Sequence, residues 1–135
     1  MNILIWNVRG LNHPSKHRKV RSMIQRHKLS FICLIETRVK INKADKVRDC
    51  IVPGWDYIFN YDQHFLGRIW ICWKKSNYEV LVLDKNEHSI NCSIKSFNSN
   101  FYWFHSFVYW ANKGVDRQHL WTNLCSMKRK VGTNP

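Results

Sequence analysis

The chain has 135 residues, 44% hydrophobic and 14% aromatic, which fits one folded domain with a core of limited size and excludes a disordered chain. Its 22 Lys and Arg against 9 Asp and Glu give a net charge of +13. That excess favours polyanionic partners, nucleic acid first, through counterion release, although a merely solvated basic surface carries the same charge.

Residues 2–8 read as a buried strand that delivers Asn7 and Arg9 ahead of a turn at Gly10. Asn12-His13-Pro14-Ser15 makes a turn and a helix start, with Ser15 as the expected cap. Over 16–28 the apolar residues Val20, Met23 and Ile24 recur at helical spacing, and Lys16, Arg18, Lys19, Arg21, Arg26 and Lys28 crowd the rest. A solvated face and a nucleic-acid contact explain those cations equally well. Residues 31–36 form a second apolar strand, so the chain opens as a β-α-β unit with a parallel pair and a right-handed crossover.

Residues 39–50 are polar, basic and weakly helical, and Pro53-Gly54-Trp55 turns into a short strand at 57–59. Strands are expected at 69–73, 80–83, 90–94 and 101–109, the 90–94 segment alternating with period two. A loop around Asn112-Lys113-Gly114 leads to a helix over 116–127. Neither a leader nor a bilayer-spanning apolar run is expected, and Cys33, Cys72 and Cys92 fall in apolar strands as buried, reduced thiols of an intracellular protein. The basic charge is uneven, since residues 1–50 hold 12 basic and 3 acidic side chains and residues 51–135 hold 10 and 6.

Glu36 closes the run Phe31-Ile32-Cys33-Leu34-Ile35, so its carboxylate emerges where the core stops. Open α/β sheets place ligands at such strand ends. With Asn7 at the end of the first strand, it suggests half of a site for a hard metal ion.

Trp6-Asn7-Val8-Arg9-Gly10-Leu11-Asn12, Leu34-Ile35-Glu36-Thr37-Arg38-Val39, Gly67-Arg68-Ile69-Trp70 and Val108-Tyr109-Trp110-Ala111-Asn112, with Arg117 and Leu120-Trp121, stand in a telling order. Together they resemble the endonuclease/exonuclease/phosphatase family. The likeness is greatest to the apurinic-type endonuclease domain at the front of plant LINE (non-LTR) retrotransposon polyproteins, which also carry a reverse transcriptase. The resemblance implies an α/β fold, a four-layer α/β/β/α sandwich of two facing sheets with helices outside. It implies Mg2+ as cofactor, held by Glu36 and Asn7, and DNA as partner. Catalytic roles are implied for Asn7, Glu36, Tyr109 (at the scissile phosphate) and Asn112. Nucleic-acid contacts are implied for Asn112, with Arg9, Arg117, Lys16, Arg18 and Lys19 as further candidates.

Family members continue with a strand ending Gly-Asp-x-Asn and a later Ser-Asp-His, and neither follows here, so residues 1–135 are expected to be a partial domain. A whole one takes roughly 200–250 residues. Asp84-Lys85-Asn86 has the Asp-x-Asn spacing but reads as a hairpin turn, and His119 lacks a preceding Ser-Asp. General acid–base assistance is typically worth about 10²–10⁴-fold, so catalysis by this segment alone is expected to be poor. The inner face of the first sheet is expected to stand open and favour self-association. Trp6, Trp70 and Trp103 are expected to pack in cores. The alternatives are a basic module that holds nucleic acid without cutting it, a retroelement remnant without function, and, less favoured, a small-substrate phosphatase.

Overall fold

The computed structural model describes residues 3–109. Within them the chain order is β1 (Ile3–Asn7), α1 (Pro14–His27), β2 (Phe31–Ile35), α2 (Ile41–Ile51), β3 (Asp56–Phe59), β4 (Ile69–Trp73), β5 (Tyr78–Lys85), β6 (Ser89–Ser96) and β7 (Tyr102–Val108). Four strands form one sheet in the order β1-β2-β4-β3, and three form a second in the order β5-β6-β7. β1 and β2 run parallel, as a β-α-β opening demands, and every other pairing is antiparallel.

The two central strands of the first sheet, β2 and β4, are buried at all five positions. Their alternate residues serve two cores. Ile32, Leu34, Trp70 and Cys72 pack with Val20, Ala44, Val47 and Ile51 of the two helices. Phe31, Cys33, Ile35, Ile69, Ile71 and Trp73 face Tyr78, Ile90, Cys92, Ile94 and Phe107 of the second sheet. β2 and β4, covered on both faces, read as continuous apolar runs, whereas β6 alternates, with Ile90, Cys92 and Ile94 against the first sheet and the polar Asn91 and Ser93 buried between them in sequence.

The inner face of the first sheet is therefore covered. The expected open patch is absent because β5, β6 and β7 fold back over it and bury their own apolar side chains there. This removes the physical basis for self-association through that face. The sandwich thus has its first sheet, two helices on one side and three strands of the second sheet, a partial α/β/β arrangement among the described residues.

Local details refine the expectations. The cap of α1 is His13, whose side chain accepts from the Ser15 backbone N–H, and Ser15 lies inside the helix. β5 and β6 are longer than their apolar runs, because their ladder extends from Tyr78 opposite Ser96 to Lys85 opposite Ile90. Backbone pairing continues past the point where side chains turn polar. Asp84 and Lys85 end β5, and Asn86 makes the turn by accepting from the N–H groups of His88 and Ser89. Trp70 is buried in the helix-side core; Trp6 and Trp103 are half-buried against the two cores. Burial pushes the Cys72 and Cys92 thiols up to about 12, and Cys33 is also raised, first by burial. Cys50 is exposed. The helix expected at 116–127 lies outside the described residues.

Candidate functional site at the shared end of both sheets

The strand ends converge at one end of the sandwich. Register sets Asn7 opposite Ile35 in the parallel pair, so both strands leave the sheet side by side. They stay joined beyond it: Val8 N–H donates to the Ile35 carbonyl at 2.9 Å, Gly10 to Glu36 at 2.8 Å and Leu11 to Thr37 at 2.7 Å. Thr37 Oγ1 donates to the Gly67 carbonyl at 2.8 Å, and the Glu36 N–H donates to the Arg68 carbonyl at 2.7 Å. Glu36 is thereby fixed by its backbone from both sides.

That fixation holds an unfavourable conformation. Arg9, Glu36 and Arg38 have φ of +49°, +61° and +56°, in the left-handed region that L residues avoid. Among the described residues only Lys28, at the C-cap of α1, and Asn100, in a turn, share this among non-glycines. Left-handed backbone gathers where the surrounding hydrogen bonds over-determine it, and such gathering is a feature of functional ends. The Glu36 carboxylate lies 3.5 Å from an Arg38 guanidinium nitrogen, and Asn7 Oδ1 accepts from the Arg9 N–H at 3.1 Å.

The second sheet supplies the opposite wall. Tyr109 follows β7 directly, and its N–H donates to the His88 carbonyl at 2.7 Å. The His88 and Tyr109 rings are parallel within 4° at 6.5 Å. Arg68 joins the walls: its guanidinium carbon stands 4.7 Å from the Tyr109 ring centre, and one nitrogen is 3.4 Å from His88 Nδ1. His88 is 1% exposed, and its Nε2 has no hydrogen-bond partner among the described residues, although Glu87 Oε1 lies 3.3 Å away. We read this as a close but poorly directed approach, since the distance alone satisfies no donor. His64 is held below its ordinary value by partial burial first and then by the Arg68 cation.

Asn7, Glu36 and Tyr109 thus stand at the same end of the sandwich, with Arg9 exposed beside Asn7. Asn112 and Arg117 lie outside the described residues. The cations of α1 separate. Arg18 lines a groove of about 510 Å³ between the helices, with Arg21, Lys43 and Lys46 and no carboxylate in its wall. Lys16 sits 5.7 Å from the Trp6 ring centre, and Lys19 lines a second groove with Trp6, Met23 and Arg26. Asn12, whose side chain donates to the Arg38 carbonyl at 2.9 Å, lines the larger groove and links it to the Glu36 segment.

Sequence reading gave Arg68 and His88 no role. Their signal is positional: each directly precedes a strand whose antiparallel partner is directly followed by a candidate residue. Ile69 opposite Ile35 brings Arg68 beside Glu36, and Ser89 opposite Val108 brings His88 beside Tyr109.

As for a metal, Glu36 and Asn7 are oxygen donors of the type magnesium takes. Among the described residues no group of three or more His, Cys, Asp or Glu is placed to hold an ion. The donor set fits a site completed by water and substrate phosphate, and does not fit an all-protein cage. No helix among the described residues is long and apolar enough to cross a membrane.

No protein-family profile and no curated protein matches the sequence. Solved structures match the fold. An endonuclease/exonuclease/phosphatase from Bacteroides vulgatus superposes with a TM-score of 0.61 at 16% identity, over 98% of this chain and 59% of that one. An AP endonuclease from Leishmania major gives 0.57 at 16% identity, over 84% of this chain and 42% of that one. The human Nocturnin catalytic domain, solved with a bound sulfate anion, gives 0.54 at 12% identity, over 93% and 59%. The chain therefore shares the endonuclease/exonuclease/phosphatase fold while spanning 42 to 59% of the length of these structures.

Proposed function

We propose that this chain is part of a metal-dependent phosphodiesterase that acts on DNA, a retrotransposon-type endonuclease domain whose catalytic set is incomplete within these 135 residues. The observation that carries the reading is the convergence of Asn7, Glu36 and Tyr109 at one end of both sheets, where Glu36 and the neighbouring Arg9 and Arg38 are held in left-handed conformations. The fold shared with an AP endonuclease supports the reaction class. The net charge of +13 supports a polyanionic substrate.

Glu36 and Asn7 would hold Mg2+, with the remaining positions filled by water and a phosphate oxygen. When bound, that ion would neutralise charge on the phosphate and the departing oxygen. The chain's own residues do the rest. Tyr109 presents its hydroxyl to the phosphate from the second sheet. Asn112 is proposed as a contact to the nucleic-acid backbone. Arg9, Lys16, Arg18, Lys19 and Arg117 would neutralise flanking phosphates, which supplies affinity without sequence information. The carboxylate that positions water and the His–Asp pair at the phosphate are the groups implied by the resemblance and missing from the sequence.

A second reading has its own observation. The carboxylate-free groove of Arg18, Arg21, Lys43 and Lys46 suits a module that holds a phosphate backbone without cutting it. Nicking of supercoiled plasmid tests both, measured with magnesium, with EDTA and with Glu36→Ala. Weak magnesium-dependent nicking is expected of an incomplete set, and salt-dependent DNA binding with no nicking in any condition favours the second reading. Efficient magnesium-dependent nicking that Glu36→Ala abolishes would show that the set is complete without the missing motifs. Neither nicking nor DNA binding would overturn both readings.

A further inference from the structure

We propose that Arg68, laid against Tyr109 and His88, is a phosphate-binding residue that forms an anion subsite spanning the two sheets. The inference deepens the reading of this end of the sandwich as a phosphodiester site and rests on it.

A guanidinium has five N–H donors in a planar fork and no acceptor. The contact with His88 Nδ1 at 3.4 Å engages one of them. Arg68 takes no part in any ion pair found among the described residues, where Arg38, Arg48, Lys85 and His88 each face a carboxylate. Arg68 is nevertheless half-buried, and a half-buried cation with free donors suits an anion. Its placement is fixed on three sides, by its carbonyl to the Glu36 N–H, by the Tyr109 ring and by the His88 edge. That leaves little rotamer freedom to lose on binding.

His88 orients the fork. Because a guanidinium only donates, His88 Nδ1 accepts, and a neutral imidazole then carries its proton on Nε2. Nε2 is buried and lies 3.3 Å from Glu87 Oε1, so it offers no exposed donor to an anion, and the role of His88 is to position Arg68. The negative groups at this end include Glu87, Glu36, whose N–H donates to the Arg68 carbonyl, and Asp62, which is paired with Lys85. The subsite therefore favours an anion that reaches Arg68 from the Tyr109 side, which is where the substrate phosphate is placed by the proposed function.

The test uses the 135-residue chain, with a short fluorescent DNA duplex in EDTA across a salt series, and with inorganic phosphate as a separate probe. Arg68→Gln is expected to weaken duplex binding by at least about tenfold, the value of one charge-assisted contact. It should lower the salt slope by about 0.9, the value for one phosphate on B-DNA. Arg68→Lys keeps the charge without the fork, so the slope should persist while part of the affinity is lost. In the unsubstituted chain, inorganic phosphate is expected to shift the Arg68 Nε–H resonance where chloride at equal ionic strength leaves it in place. Wild-type affinity and slope in Arg68→Gln, with only a lowered Tm, would make Arg68 a structural strut and overturn the inference. An unmoved Arg68 resonance would do the same. If phosphate moves that resonance while plasmid is neither bound nor nicked, the subsite stands and the proposed function fails. If salt-dependent DNA binding is seen and Arg68→Gln changes neither affinity nor slope, the proposed function stands and the subsite fails.

Discussion

The two sheets are joined differently in the middle of the sandwich and at its site end. From the middle to the opposite strand ends the contact is apolar and close-packed: Phe31 stacks on Phe107 at 5.8 Å and meets Tyr78 edge-on at 5.3 Å, among Ile71, Ile90 and Ile94. At the site end the contacts are polar and directed. Asn60 reaches from the first sheet toward the Asn86 and Glu87 carbonyls, Lys85 donates to the Phe59 carbonyl, and Arg68 meets His88 and Tyr109. Apolar burial is non-directional and stabilises in proportion to area. Directed contacts contribute less each but fix positions. The difference teaches where each property is made. Packing in the middle supplies the stability that allows the site end to keep Arg9, Glu36 and Arg38 left-handed, at roughly 1–2 kcal/mol each.

The comparison predicts that the middle dominates stability. Phe107→Ala removes a fully buried ring from the inter-sheet layer and is expected to cost about 3–5 kcal/mol. Leu81→Ala, on a strand residue that is 55% exposed, should stay within about 0.5 kcal/mol. Urea unfolding of both variants measures this. Near-equal losses would mean that the second sheet does not close over the first.

Those two residues also show what was legible in the sequence. The β-α-β opening could be read because Phe31–Ile35 is continuously apolar and the helix before it repeats Val20, Met23 and Ile24 at helical spacing. The run Val80–Leu83 looked equally apolar, yet Leu81, Val82 and Leu83 are exposed on an edge strand, while the weaker alternation of β6 supplied the buried face. Which sheet covers which is a non-local outcome that apolar runs do not encode, and the expectation of an open inner face failed there. The site divides the same way. Asn7, Glu36 and Tyr109 announce themselves as polar ends of apolar strands. Arg68 and His88 acquire their place only through cross-strand register, which joins residues 32 and 21 positions apart in sequence (Glu36 with Arg68, His88 with Tyr109).

At the boundary between the two regions, Asn60 is fully buried and its Oδ1 accepts from the Ile69 N–H at 2.9 Å, at the start of β4. Asn60→Ala leaves that N–H without an acceptor and is expected to cost about 1–3 kcal/mol. The loss should be accompanied by faster hydrogen exchange at Ile69. Unchanged exchange at that amide would show that the directed contact does not set the strand's entry, and would weaken the distinction between the two regions.

Between the Asn60 contact and the Lys85–Asp62 pair, the smaller effect belongs to the more exposed one. Lys85 Nζ lies 3.0 Å from Asp62 Oδ1, and the aspartate side chain is 55% exposed. Partial burial pushes the Asp62 carboxyl up, but the Lys85 hydrogen bond and charge outweigh it and hold the group below its ordinary value of 3.8. A carboxyl depressed in the folded state stabilises above its unfolded value and loses that contribution as pH falls through the folded one. Solvent screening limits the pair to about 0.2–1 kcal/mol. Asp62→Asn should therefore lower stability by that amount at pH 7, and the gap between variant and wild type should close as the pH is taken well below 3.8. A gap that persists at low pH would assign the loss to packing or to the Gln63 contact in place of charge. A gap at pH 7 above that range would mean that the site end contributes to stability on the same scale as the apolar middle, and the division between the two regions would fail.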